Sequence, residues 1–293
     1  IMFNLITGCF QDVFYSEQTL EVLRNIPSLT WTPQIPNKYR NYSIGQVQQL
    51  FTKTSDEEID MPKYSNQVTN DRAKEKSWDW RELKSHCFEL RDDENCAAPH
   101  AFSAVSQLTS TRCILGKDVQ KILYSEQYII SCDMSTKGCT GGYSLMTQNF
   151  LRDYGTTTEK CVSFKSGKDG NRRQCPRVCD DNTPLTLTKT KNFDNVCNDE
   201  AGMRSAIKYA PVQTGFIVYE DFMYYTGGIY KHVSGPNLGY QNALIVGWGE
   251  ENGVLYWICQ NYWGPNWGEM GYFRIQRAIN ECGIEKDCFL LLP

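Results

Sequence analysis

The chain has 293 residues, 41% of them hydrophobic and 13% aromatic, enough to bury one large core or two modest ones, and this composition excludes an intrinsically disordered protein. A formal net charge of −4 excludes the basic footprint that a nucleic-acid-binding surface needs, so no nucleic-acid partner is expected. No apolar run reaches the ~20 residues of a membrane span, which predicts a soluble chain.

Residues 1–10 are apolar and carry neither an initiator Met nor a basic stretch. They read as the tail of a signal peptide or as a packed extension; the second is preferred, because a cleaved signal is not carried on a mature chain. Across residues 15–52, Leu20, Leu23 and Ile26 and then Ile44, Val47, Leu50 and Phe51 recur at helical spacing. They predict two short helices with a bend at Pro33 and Pro36. Asn41-Tyr42-Ser43 is an N-glycosylation sequon. Residues 52–76 are polar and charged and read as an extended linker, placing a boundary near Lys76 between an N-terminal region, 1–76, and a body, 77–293.

Residues 99–115 predict a long buried helix with Pro99 in its first turn, where the missing N–H costs little. From residue 212 the pattern changes to strands, at 212–219, 243–248, 254–260, 271–275 and 288–292, separated by Gly- and Asn-rich turns. Helices followed by strands make an α+β plan, and no internal repeat is present.

Thirteen cysteines, most between Cys87 and Cys197, point to an oxidising compartment and a secretory route. As metal ligands they are poor, since no C-x-x-C pair with matching His exists, and neither a metal nor any other cofactor is expected. The short basic run Asn171-Arg172-Arg173 reads as a solvated loop.

The run Asn261-Tyr262-Trp263-Gly264-Pro265-Asn266-Trp267-Gly268-Glu269-Met270-Gly271-Tyr272-Phe273 resembles the N-S-W-G-x-x-W-G-x-x-G-[YF]-F block of the papain-type cysteine proteases. Gly138-Cys139-Thr140-Gly141-Gly142-Tyr143 resembles that family's G-C-x-G-G-[YF] turn. Gly247-Trp248-Gly249, the stretch from Gly228 to Gly235 and Cys282-Gly283-Ile284-Glu285 are similar to the cathepsin B branch. Together the motifs span residues 77–293 in the family's order. The resemblance implies a two-lobed fold with a helical left lobe and a barrel-like right lobe. Leu29-Thr30-Trp31-Thr32 and the helix at 44–51 resemble a short cathepsin B-type pro-segment, which implies a segment lying through the substrate groove in reverse polarity.

The same resemblance locates the catalytic positions. A cysteine protease needs a thiolate beside an imidazole, and the family supplies the thiol from C-G-S-C-W-A-F. Here that stretch is Cys96-Ala97-Ala98-Pro99-His100-Ala101-Phe102, so the nucleophile position holds Pro99, which has neither a heteroatom nor the N–H that would help hold an oxyanion. The second oxyanion donor, a Gln in the family, corresponds to Asp93, an acceptor that would repel the oxyanion if ionised. The base position, six residues before Gly247, falls on Gln241, flanked by Tyr240 and Asn242. Asn261 persists as the orienting residue, with Trp263 as its apolar cover. His86, His100 and His232 do not match the base position. Pro at a helix start and Asn at a strand end are also ordinary packing and capping choices.

By further correspondence the resemblance implies disulfides Cys87–Cys113, Cys96–Cys139, Cys132–Cys175 and Cys161–Cys179, leaving Cys9, Cys197, Cys259, Cys282 and Cys288 unassigned. Cys259 reads as a buried thiol and Cys9 as a candidate for pairing with another chain. The occluding loop of cathepsin B, with its His pair, would fall between Cys161 and Cys175, where no His occurs. The acidic residue of the family's S2 pocket, which receives a substrate side chain, corresponds to Asp287.

These expectations converge on an inactive relative in the secretory pathway, extracellular or in a lysosome- or vacuole-like compartment. Its partners would be other proteins, further copies of itself and its own pro-segment in the groove. The alternatives are a residual peptidase recruiting Asp93 or Glu94, and a decoy that holds peptides without cutting them.

Overall fold

The computed structural model of the chain describes residues 13–52, 73–197 and 199–293. The expectations for residues 1–10, for Cys9 and for most of the 52–76 linker fall outside them.

The N-terminal segment starts with helix α1 (Glu17–Arg24), where Ser16 Oγ accepts from the Thr19 N–H at 3.0 Å and Leu20 and Leu23 turn inward. Helix α2 (Ile44–Gln48) opens on a reciprocal capping box between Ser43 and Gln46. Between them lies a strand the sequence did not announce, β1 (Trp31–Pro33). Trp31 and Thr32 favour strands, but three residues ending in Pro are too short a run to announce one; they are extended because they pair antiparallel with β5 (Tyr225–Tyr230) while Trp31 is buried and donates from Nε1 to Lys231 O at 3.0 Å.

The body begins with β2 (Trp78–Asp79) and α3 (Trp80–Leu83), followed by α4 (Pro99–Ile114), α5 (Glu126–Cys132) and α6 (Ser144–Asp153). Helix α4 is buried on every side from Pro99 to Thr111, because α5 and α6 cover one flank and the sheet strands β4 (Val212–Tyr219), β6 (Asn237–Glu251) and β9 (Phe289–Leu292) the other. Helix α7 (Glu200–Tyr209) follows strand β3 (Asn192–Asn195), and β7 (Val254–Gln260) and β8 (Tyr272–Gln276) complete the β half. The sheet order is β1-β5-β8-β7-β6-β4-β9-β3, with β2 also paired to β6. Among the strand pairs of the described residues, β5 and β8 alone run parallel.

The predicted strand at 243–248 is the buried middle of β6, which extends in both directions because β4 pairs back to Asn237 and β7 out to Glu251. Strands β3 and β5 escaped prediction: Asn192-Phe193-Asp194-Asn195 and the Gly227-Gly228 pair carry turn composition, and only their neighbours in the sheet make them strands.

Two cores result. One lies within the helical lobe, around Phe102, Val105, Leu108, Ile129, Leu151 and Tyr262. The other joins the β half to the N-terminal segment, with Tyr15, Leu20, Leu23, Trp31, Tyr39 and Phe51 sharing one cluster with Phe222, Tyr224, Trp263 and Trp267. Each large apolar side chain buried this way contributes ~1.5–3 kcal/mol. The far end of the expected linker is also packed, since the buried Ala73 donates its N–H to Ser205 Oγ at 3.0 Å.

Disulfides join Cys87 to Cys113, Cys96 to Cys139, Cys132 to Cys175 and Cys161 to Cys179, and a fifth joins Cys197 to Cys288, two of the cysteines left unassigned above. Cys259 and Cys282 are free thiols, the first buried.

Candidate active-site groove

Pro99 is the first residue of α4, and the Cys96–Cys139 bond ties the approach to that helix onto the glycine turn, where Ala97 pairs with Thr140. The next residue, His100, is fully buried against that turn, so that a Cβ on Gly142 would lie 2.8 Å from its ring. Neither ring nitrogen has a hydrogen-bond partner, and burial, reinforced by the Arg172 charge, pushes the imidazole down to about 3. His100 is thus a neutral packing residue placed beside Pro99.

Asp93 is held by its backbone, its N–H donating to Tyr262 O and its carbonyl accepting from Cys96, both at 2.9 Å. Its carboxyl is buried, and desolvation raises it well above the usual carboxylate range, with Lys38 opposing. Desolvation thus favours the neutral form of Asp93, in which the carboxyl carries an O–H that can donate, over the ionised form that would repel an oxyanion.

Gln241 and Asn261 are brought together by β6 and the end of β7. Gln241 Nε2 donates to Asn261 Oδ1 at 3.1 Å, leaving Gln241 Oε1 and Asn261 Nδ2 without partners. Trp263 is buried and makes edge-to-face contacts with Trp267 at 4.8 Å, Tyr39 at 5.8 Å and Phe51 at 5.9 Å.

The N-terminal segment crosses this groove. Thr52 and Tyr240 exchange two backbone hydrogen bonds of 3.1 and 2.8 Å, Thr52 lies against Gly141, and Phe51 lies against Gly239. Lys38 forms an ion pair with Asp92 at 2.6 Å and donates to Trp263 O at 3.0 Å. Beside this crossing a cavity of about 740 Å³ remains, lined by Gln48, Phe51 and Thr52 on one side and Lys137, Gly141 and Met146 on the other.

Asp287 accepts from Tyr240 Oη at 2.6 Å and from Ser144 Oγ at 2.8 Å, and Ser144 in turn accepts from Asn242 Nδ2 at 2.7 Å. Sequence reading named Tyr240 and Asn242 only as flanks of the base position and passed over Ser144; a tyrosine beside that position was the available signal. The other two imidazoles lie elsewhere. His232 stacks on Tyr219 at 3.7 Å, with Nδ1 3.1 Å from Asp221. His86 lies beside Cys87 and Cys113, the three side chains forming the one metal-sized cluster among the described residues, but both sulfurs are consumed by their disulfide.

The sequence profile described as papain family cysteine protease matches residues 74–292. The chain belongs to this family. Within it the similarity runs to cathepsin B-like proteins. Cathepsin B-like CP3 of Giardia intestinalis is 38% identical over 275 residues, covering 92% of each chain, and the same organism's cathepsin B-like CP2 is 35% identical over 280 residues, covering 92% of this chain and 93% of the relative. Among solved structures, procathepsin B S9 from Trypanosoma congolense superposes with a TM-score of 0.87 at 25% identity, covering 96% of this chain and 99% of that one. Digestive procathepsin L 3 of Tenebrio molitor shares the fold, with a TM-score of 0.76, 22% identity and coverage of 94% and 87%. The papain-family assignment accounts for the two lobes, the helix beginning at Pro99 and an N-terminal segment lying over the groove, as in the pro-forms.

Proposed function

We propose that this papain-family chain is a catalytically inactive, cathepsin B-like protein that keeps its N-terminal segment over the former substrate groove and acts through protein binding or assembly. The observation that carries this reading is Pro99. At the start of α4, where the family places its thiol, stands a residue with no nucleophilic atom and no N–H to donate to an oxyanion. Gln241 supports it, because an amide at the base position has no basicity to accept a proton near neutral pH. Removing members of a nucleophile–base unit forfeits several powers of ten in rate.

Assembly is supported by exposed apolar side chains on the N-terminal segment: Val13, which pairs with Ser43, its neighbour Ile44, and Val22. Five disulfides fit an oxidising compartment, either extracellular or lysosome-like, where the exposed Asn41 would be open to glycosylation. Among the described residues no helix is long and apolar enough to cross a membrane.

The test is incubation of the intact purified chain with fluorogenic dipeptide and tripeptide amides from pH 4 to pH 8, together with a thiol-directed epoxide probe, before and after cleavage of the N-terminal segment. Neither turnover nor labelling is expected. Saturable turnover that is lost in an Asp93→Asn variant would establish the residual peptidase instead. The peptide decoy is the reading favoured by the cavity of about 740 Å³ beside Thr52, and it requires peptide uptake once the segment is gone.

A further inference from the structure

Residues two apart on a strand point to the same face, so Tyr240 and Asn242 of β6 look one way while Gln241, between them, looks the other, toward Asn261. The register partner of Asn242 on β4 is Gly215. Tyr240 therefore reaches diagonally across the sheet over a residue without a side chain. The fit is tight: a Cβ on Gly215 would lie 1.7 Å from Tyr240 Oη and 2.2 Å from Cζ.

Beyond Gly215 the phenol meets a prepared acceptor. Asp287 is buried and takes hydrogen bonds on the same oxygen, Oδ2, from Tyr240 at 2.6 Å and from Ser144 at 2.8 Å. Asn242 joins the network through Ser144 at 2.7 Å. The tyrosine is thereby fixed at both ends, its backbone paired with Thr52 of the crossing segment and its hydroxyl bonded to the pocket floor.

That location bears on peptide binding. The segment that crosses the groove uses the backbone of Tyr240 as its hydrogen-bonding partner, sending Phe51 toward Trp263 and Thr52 toward Gly141. Any extended peptide that took the same backbone bonds would run beside the recess framed by Ser144, Gly215, Asn242 and Asp287.

We infer that Tyr240 is a built-in occupant of this recess, so that the groove stays closed to peptide side chains there even when the N-terminal segment is displaced. The inference deepens the reading of an inactive groove and rests on it only for the groove's being a former substrate channel. It separates the two binding roles: partners engage the outer surface, and the recess is part of the fold.

The experiment uses p-cresol, which has the shape of the tyrosine side chain, with the full chain and its Tyr240→Gly variant. The wild-type chain should take up no p-cresol by calorimetry. Tyr240→Gly should melt several degrees lower, bind p-cresol one-to-one and recover most of the lost melting temperature. Saturable uptake by the wild-type chain, or a folded Tyr240→Gly chain that binds none, overturns the assignment. If Tyr240→Gly does not fold, Gly215→Ala and the double variant Gly215→Ala/Tyr240→Ala decide. Gly215→Ala alone should lower the melting temperature, and adding Tyr240→Ala should relieve part of that loss. If Gly215→Ala is equally harmful with and without Tyr240→Ala, the inference is overturned. Peptide hydrolysis by the wild-type chain would sink the proposed function and leave the placement of Tyr240 standing, whereas p-cresol uptake by the wild-type chain would do the reverse.

Discussion

Gln241 Nε2 donates to Asn261 Oδ1 across 3.1 Å, two buried amides meeting at the positions that the sequence resemblance assigns to the family's base and the residue that orients it. On the proposed reading, this hydrogen bond stands in for the orienting bond of the family, with an amide in place of the base. Because both side chains are buried and each already leaves one polar atom unpaired, losing the remaining bond is costly.

Gln241→Leu should therefore destabilise the chain by ~1–3 kcal/mol, since Asn261 is left without its donor. Gln241→His, which restores an N–H in the same place, should cost less. Urea denaturation of the two variants checks the order, and a more stable Leu variant would contradict it.

His100 makes a prediction about acid. Burial holds its pKa at about 3, below the ordinary 6.5, so the folded chain leaves it neutral while the unfolded chain protonates it between those values. The unfolded state then binds more protons, and stability rises with pH across this window: His100's contribution is present above about 6.5 and is lost as pH falls toward about 3, by up to ~1.4 kcal/mol per unit. His100→Phe should flatten this part of the stability profile, measured by urea denaturation at several pH values. An unchanged slope would show that His100 is accessible to protons in the folded chain.

Trp31 tests whether the N-terminal segment is part of the core. The residue is 4% exposed and packs against Tyr225 and Tyr230, with ring separations of 6.3 and 5.4 Å. Trp31→Ala should cost ~3–5 kcal/mol. Hydrogen exchange should show lost protection in β5 as well as in β1, and loss confined to residues 13–52 would mean that the two are not coupled.

The free thiols should be slow to react. Burial raises both Cys259 and Cys282 above the ordinary thiol range, with Glu281 adding to the effect at Cys282, so little thiolate is present near neutral pH. Iodoacetamide at pH 7.5 should leave both positions unmodified in the native chain and label both in denaturant, as read by peptide mass spectrometry. Rapid native labelling at Cys282 would mean that its carboxylate neighbour is not where the structure puts it.

The fifth disulfide invites a stability test of its own. Cys197 lies just before α7 and Cys288 opens the approach to β9, so their bond closes a long loop around the β half. Replacing both by Ala should cost ~2–5 kcal/mol, measured by thermal unfolding without reductant, and a neutral result would place the structural burden on the four bridges of the helical lobe.

Much of the body was legible in the sequence because its signals are local or carried by short motifs. The apolar stripe of Ala101, Phe102, Ala104, Val105 and Leu108 after Pro99 marks a buried helix, and the Gly- and Trp-rich block at 261–273 points to the papain family on residue types alone. Pro99 and Gln241 are assigned to the catalytic positions by counting from such motifs, and their side-chain chemistry follows from their identity.

What the sequence by itself determined is thus the residue types at each motif position and the local preferences of the longer elements. Only the tertiary structure decided the rest. β1 and β5 are strands because each supplies the other's hydrogen bonds. The Asp93 carboxyl is raised above the usual carboxylate range because the fold removes it from water. Tyr240 fills the recess because register sets it diagonally across from Gly215. In each case the deciding partner lies far along the chain, and desolvation and steric fit depend on that partner's position in space rather than on neighbours in sequence.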